Sequence, residues 1–272
     1  MTNFEWSTMA AFVHGTRKAH RDWFIGKRMS LFDNKFATSS FTSNVISFKG
    51  PVDVGLGLPY ITVISATDSY YAMSSDGGLN IDNTHSKIKA GETYYYQNPE
   101  RPGPGATYKI YGISNAKKID IGTWGGFNFL SLGSCPMLEE LIIGNENYTP
   151  IITVPKIGSD MPKLKYLDVS NVLGNNEAVP PSLFTSLDVN ENINLETVIA
   201  KKCPYLTTIN FTPGGSIKRM VLPENYSNLY LDSLPELKNS GIEWEKSAAN
   251  VQRLYINNCP NIKPIELLNS IM

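Results

Sequence analysis

Between Phe184 and Phe211 one apolar motif recurs: Phe184-x-x-Leu187-x-Val189, Leu195-x-x-Val198-x-Ala200 and Leu206-x-x-Ile209-x-Phe211. The last two apolar positions of each motif flank a single residue, the alternation of a half-buried strand, and the motif returns every 11 residues. The rhythm extends in both directions. One series of strand centres runs Ile119/Ile121, Leu141/Ile143, Leu167/Val169, Leu187/Val189, Ile209/Phe211, Leu229/Leu231 and Leu254/Ile256. A second falls between them: Leu130/Leu132, Ile152/Val154, Val198/Ala200, Met220/Leu222, Ile242/Trp244 and Ile265/Leu267.

Within each series the step is usually 20–26 residues, the length of one solenoid coil. Each coil is therefore expected to lay one strand on each of two opposite sides. About seven such coils stack, because one alone cannot bury its Leu/Ile/Val pairs. The second series should return near Ala178, but Gly174-Asn175-Asn176 and Pro180-Pro181 stand there, which predicts a loop or a bulged coil.

Upstream the pattern changes. Short runs rich in Val, Ile, Thr and Tyr predict strands at Val45–Phe48, Tyr60–Ile64, Tyr70–Met73, Thr93–Gln97 and Thr107–Tyr111. Asp76-Gly77-Gly78 and Ala90-Gly91 supply turns, and Pro99, Pro102, Gly103, Pro104 and Gly105 mark a closing loop. The domain reading is an N-terminal arm over 1–48, a small β module over 49–108 that caps the open end, and a solenoid over 109–272. The fold class is mainly β.

The arm mixes Arg17, Lys18, Arg21, Lys27, Arg28 and Lys35 with apolar Trp6, Met9, Phe12, Val13, Trp23, Phe24 and Ile25. It folds back on its own domain, docks on a partner protein, or contacts nucleic acid. Docking is favoured, with Trp6, Phe12, Arg17, Lys18, Trp23 and Phe24 as its candidate residues, because aromatic and basic side chains together suit an interface better than a small core.

Composition narrows the class. With 42% hydrophobic and 18% charged residues in 272, the chain is globular, and a net charge of −1 argues against non-specific nucleic-acid binding. No run approaches the roughly 18 apolar residues that span a bilayer, and Met1–Trp6 does not read as a signal peptide. Synthesis inside a cell is the expectation. Three cysteines without a Cys-x-x-Cys or Cys/His cluster predict neither a disulfide framework nor a zinc site. Cys135, Cys203 and Cys259 each lie three residues past a strand position and precede proline, so they read as packing residues at turns; Asn192, Leu234 and Trp124 hold that slot elsewhere.

The stretch Val251-Gln-Arg-Leu254-Tyr-Ile256-Asn-Asn-Cys259-Pro-Asn-Ile262 resembles the leucine-rich-repeat superfamily. Its short, irregular form is similar to repeats in surface and virion proteins of gut Bacteroidetes and their phages. The module, with Ser75-Asp76-Gly77-Gly78 and Gly91-Glu92-Thr93-Tyr94-Tyr95-Tyr96, resembles modules of tailed-phage structural proteins. The resemblance covers about residues 45–272. It implies a non-enzymatic virion protein, tail- or capsid-associated, assembled in the host cytoplasm with other virion proteins in a symmetric or homo-oligomeric array and facing a host surface receptor. The alternatives are a bacterial leucine-rich-repeat adhesin at the cell surface and a polysaccharide-acting enzyme.

Little in the chain points to catalysis. His14, His20 and His85 lie in the arm or a turn-rich loop without a nucleophile motif, and the glycine pairs at 77–78, 125–126 and 214–215 lack a phosphate-loop pattern. Glu139-Glu140 reads as a solvated face. No cofactor or metal is expected. For binding, the residue between each inward pair points out, and Ile142, Ile199, Val221, Tyr230 and Tyr255 are the candidate exposed sheet face. Tyr230 and Tyr255 are expected side by side on consecutive coils, and Ile199 and Val221 likewise.

Overall fold

A computed structural model describes residues 45–49, 60–74, 82–97, 107–122, 129–144, 157–175, 182–245 and 251–271. The arm residues Trp6, Phe12, Arg17, Lys18, Trp23 and Phe24 lie outside these, as do Trp124, Ile152, Val154 and Ala178. The fold is mainly β, with a solenoid of stacked coils.

The module contributes β1 (Val45–Lys49), β2 (Tyr60–Ser65), β3 (Ser69–Ser74), β4 (Asp82–Ile88), β5 (Thr93–Gln97) and β6 (Thr107–Tyr111). Strand β4 was not expected: its sequence, Asp-Asn-Thr-His-Ser-Lys-Ile, carries few β-formers. It is an edge strand that pairs only with β3, where pairing geometry outweighs propensity. His85 consequently sits in a strand rather than a loop. Tyr71 of β3 stacks on Tyr94 of β5 with ring centroids 5.6 Å apart, joining the two sheets of the module.

The coils follow as β7 (Ala116–Asp120), β8 (Phe129–Ser131), β9 (Glu140–Ile142), β10 (Tyr166–Asp168), β11 (Gly174–Asn175), β12 (Ser182–Leu183), β13 (Ser186–Val189), β14 (Thr197–Ile199), β15 (Thr208–Phe211), β16 (Arg219–Leu222), β17 (Asn228–Asp232), β18 (Ile242–Trp244) and β19 (Arg253–Asn257). A helix, α1 (Pro264–Ile271), closes the described chain where Ile265 and Leu267 had been expected to form a strand. A helical turn starting at Pro264 suits its fixed φ and leaves no ladder donor missing.

One eight-stranded sheet has the order β18-β16-β14-β10-β9-β7-β2-β5. From β7 to β18 its neighbours are parallel, while β2 joins β7 antiparallel. The module therefore caps the solenoid by hydrogen-bonding onto its first coil, and no free strand edge is left between them. On the opposite side β8 pairs antiparallel with β1 of the five-stranded sheet β4-β3-β6-β1-β8.

The solenoid has about five turns, not seven. The register explains the difference. Ile119, Leu141 and Leu167 share their ladder with Val198, Met220 and Ile242, so the two sequence series change sides after β10. Leu187 pairs with Ile209, and Leu229 with Leu254, in the sheets β13–β15 and β17–β19 across the coil. The exchange occurs where the loop was expected: β11 and β12 form a small antiparallel hairpin, Gly174 opposite Leu183 and Asn175 opposite Ser182. This insertion lengthens one coil, so that Leu167 and Val198 are 31 residues apart where Val198 and Met220 are 22. A single buried cluster runs from Val63 in the module to Leu267 in α1, which is the dry interior that one coil could not have made alone.

Turns at the coil corners are built from few parts. The N–H groups of Leu138, Leu164, Leu195, Leu206 and Ile262 donate to the carbonyls of Cys135, Met161, Asn192, Cys203 and Cys259, at 3.0–3.2 Å. Proline at the second position of most of these turns supplies the φ that the turn needs. Lys202 and Asn258 precede the corner residues Cys203 and Cys259, and Ser233 precedes Leu234 in the equivalent slot, all with φ between 48° and 53°. Close approach sets a second constraint: a Cβ on Gly144 would run into the carbonyl of Ser170, so only glycine lets these coils stack.

Candidate binding surface

The three cysteines are free and buried. They do not share one column. Cys135 and Cys259, with Asn192 and Leu234, follow strands on the back of the coil, whereas Cys203 follows β14 of the eight-stranded sheet. Their Sγ atoms bond backbone: Cys203 donates to the Val169 carbonyl of the neighbouring coil at 3.2 Å, and Cys259 accepts the Leu234 N–H at 3.5 Å. Burial pushes the thiols of Cys135 and Cys203 up to about 12, so both are held as neutral thiols at neutral pH. Asn192 fills its slot by donating from Nδ2 to the carbonyls of Gly158 and Met161, at 3.2 and 3.1 Å.

On the outer face of the eight-stranded sheet one ladder reads Asp120, Ile142, Asp168, Ile199, Val221, Glu243. Two of its aliphatic members do not form an exposed surface. Ile199 is 9% exposed and Val221 2%, and Ile142 is half-buried. Each is flanked by ladder neighbours on both sides. Val221 also has Arg219 two residues away on its own strand and Glu243 opposite, and those two form a bidentate ion pair at 2.7 and 2.8 Å. The salt bridge thus crosses diagonally beside the valine. Asp120 and Asp168 accept the N–H of Gly122 and Ser170 at 3.1 and 2.9 Å, capping the turns that leave β7 and β10. Partial burial raises the Asp120 carboxyl above its ordinary range despite that bond.

Where these strands begin, a column of alternating sign runs across the coils: Lys117 near the start of β7, then Glu139, Lys165, Glu196 and Lys218 just before β9, β10, β14 and β16. Lys165 bonds Glu139 at 3.0 Å, and Lys218 reaches Glu196 at 3.1 Å. The backbone follows the same column, Glu139 N–H to Lys117, Lys165 to Glu139, Glu196 to Lys165 and Lys218 to Glu196. Glu140 pairs with Lys118 at 3.0 Å. Glu139 and Glu140 are therefore paired across coils rather than simply solvated. Their signal was present in the sequence as opposite charges two residues before successive strand centres.

The back of the last coils is different. In β17 and β19 the outward residues are Asn228, Tyr230 and Asp232 opposite Arg253, Tyr255 and Asn257. Tyr230 and Tyr255 face each other across the ladder with ring centroids 6.1 Å apart and planes tilted by 39°. They are 45% and 48% exposed. Asn257 Nδ2 donates to Asp232 Oδ1 at 2.9 Å, and Ser233 Oγ to the same oxygen at 3.0 Å. The inward partners Leu229 and Leu231 are fully buried, so the alternation holds both rings outward. Of the five face candidates, the structure brings together Ile142, Ile199 and Val221 on one side and Tyr230 with Tyr255 on the other.

Among the described residues no group of three or more His, Cys, Asp and Glu is placed to hold a metal, and no helix is long and apolar enough to cross a membrane. No protein-family model matches this chain, and neither a curated protein nor a solved structure is similar to it.

Proposed function

We propose that this chain is a non-enzymatic structural and interaction protein of a tailed-phage virion, held to other virion proteins in a symmetric assembly by the N-terminal arm that precedes β1. Its solenoid is a rigid spacer that carries a binding surface toward a host receptor. One observation supports the spacer role above the others: a single sheet continues from β5 of the module through β18, so bending the body requires breaking backbone hydrogen bonds between strands. The core supports it too, since one buried cluster, rich in Leu, Ile and Val, continues from the module to α1.

The test uses phage carrying this gene. The chain should copurify with intact particles, and deletion of residues 1–40 should leave the circular dichroism of the purified protein unchanged while abolishing incorporation. Absence of the full-length chain from purified particles overturns the virion reading. Unchanged incorporation of the truncated chain overturns docking by the arm.

A further inference from the structure

We propose that the strip formed by Asn228, Tyr230, Asp232, Arg253, Tyr255 and Asn257 is a binding site for a neutral saccharide. The inference deepens the binding half of the reading above and rests on it. All six outward positions of the β17–β19 pair are tyrosine or a hydrogen-bonding residue, and none is aliphatic. A protein-binding hot spot sets its aromatic anchors among other apolar groups that exclude water. Here the two rings are instead bordered at both ends by donors and acceptors.

The chemistry of a sugar matches that layout. A pyranose offers one face of C–H groups, which packs on the electron-rich face of an aromatic ring, and a rim of hydroxyls that both donate and accept. Tyr230 and Tyr255, paired on adjacent coils with ring centroids 6.1 Å apart and each about half exposed, offer two aromatic rings within reach of a single sugar unit. At one end Arg253 is exposed and its guanidinium has no ion pair among the described residues, with Asn228 opposite it. At the other end Asp232 and Asn257 are already oriented by their mutual bond at 2.9 Å. One cation and one carboxylate at opposite ends leave the strip without net charge, which favours an uncharged ligand over an acidic one.

The experiment is native affinity electrophoresis of the whole chain in gels containing mixed-linkage β-glucan, xylan, mannan or dextran, with carboxymethyl cellulose as the anionic comparison. At least one neutral polysaccharide should retard the wild type. Y230A and Y255A should each weaken that retention about tenfold, and the double variant should migrate as in a polysaccharide-free gel while its circular dichroism stays that of the folded wild type. No retardation in any neutral gel, retention only by carboxymethyl cellulose, or equal retention of the double variant overturns the site. So does self-association of the wild type in sedimentation experiments that the double variant lacks, if no gel retards it; the strip would then be an interface between copies. Release of reducing ends by a retained wild type would overturn the non-enzymatic reading while leaving the saccharide site in place.

Discussion

The hydroxyl of Tyr226 accepts the backbone N–H of Ile209 at 2.9 Å inside the core. It stands where a carbonyl of the next strand would otherwise be, and the back of the solenoid divides there into the separate pairs β13–β15 and β17–β19. Tyr226 is 1% exposed, so neither group has water as an alternative, and burial raises the phenol above its ordinary pKa.

Y226F removes the acceptor and strands a buried donor. The expected cost is about 1–3 kcal/mol, read as a lower midpoint in urea unfolding with an unchanged slope. Amide exchange at Ile209 should accelerate by more than at Ile119, which has no such partner. Equal exchange at both sites would show that the hydroxyl contributes nothing to the ladder.

Coil spacing is set at Gly144, whose missing Cβ makes room for the Ser170 backbone. G144A should destabilise by roughly 4 kcal/mol, because the obstacle is main chain held in a hydrogen-bonded sheet and cannot move aside as a side chain would. The comparison is G91A: a Cβ at Gly91 meets nothing within 4 Å, and the cost there comes only from its φ of 81°. Thermal midpoints that fall equally for both variants would contradict the close approach.

The ion pair of Arg219 with Glu243 is nearly half exposed, so a double-mutant cycle should return only about 0.5–1 kcal/mol. Its pH dependence has a definite sign. The bond from Arg219 holds the Glu243 carboxyl below the usual carboxylate range, and Lys165 does the same for Glu139. A lowered folded pKa means that the contribution is complete above the unfolded value, about 4.3, and is lost as pH falls through the folded one. Acid unfolding curves of E243Q should therefore be less steep in that window than those of the wild type, and 1 M salt should narrow the difference.

Thiol chemistry offers a fourth check. Cys135, Cys203 and Cys259 are 0%, 0% and 7% exposed. A neutral-pH thiol reagent should label all three only at the rate of global unfolding, and all at once in denaturant. For Cys135 and Cys203 the folded pKa is raised, so their share of stability is present at neutral pH and is lost as pH rises from about 9 toward 12. Fast labelling of native Cys203 would contradict its place in the core.

Much of this architecture is legible in the chain alone. Leu-x-x-Leu-x-Val returns every 11 residues, and both faces of a coil need that same pattern because both face one interior. That identity is also why the sequence could not say which side a strand belongs to. Leu167 and Leu187 are 20 residues apart, a normal coil step, yet they lie on opposite sides because the β11–β12 hairpin occupies part of the span. Only the pairing of Leu167 with Val198 reveals the exchange, and with it five turns in place of seven.

Outward positions divide in the same way. Alternation along β14, β16, β17 and β19 places Ile199, Val221, Tyr230 and Tyr255 on the face away from the coil interior, and hydrophobicity cannot separate them further. The three-dimensional structure does. Ladder neighbours and the Arg219–Glu243 bridge lie beside Val221, whereas Tyr230 and Tyr255 are paired with each other and bordered along their two strands by polar residues. Side-chain periodicity is a property of one strand and can be read along it; exposure depends on what the next strands place alongside, and that is decided by the fold.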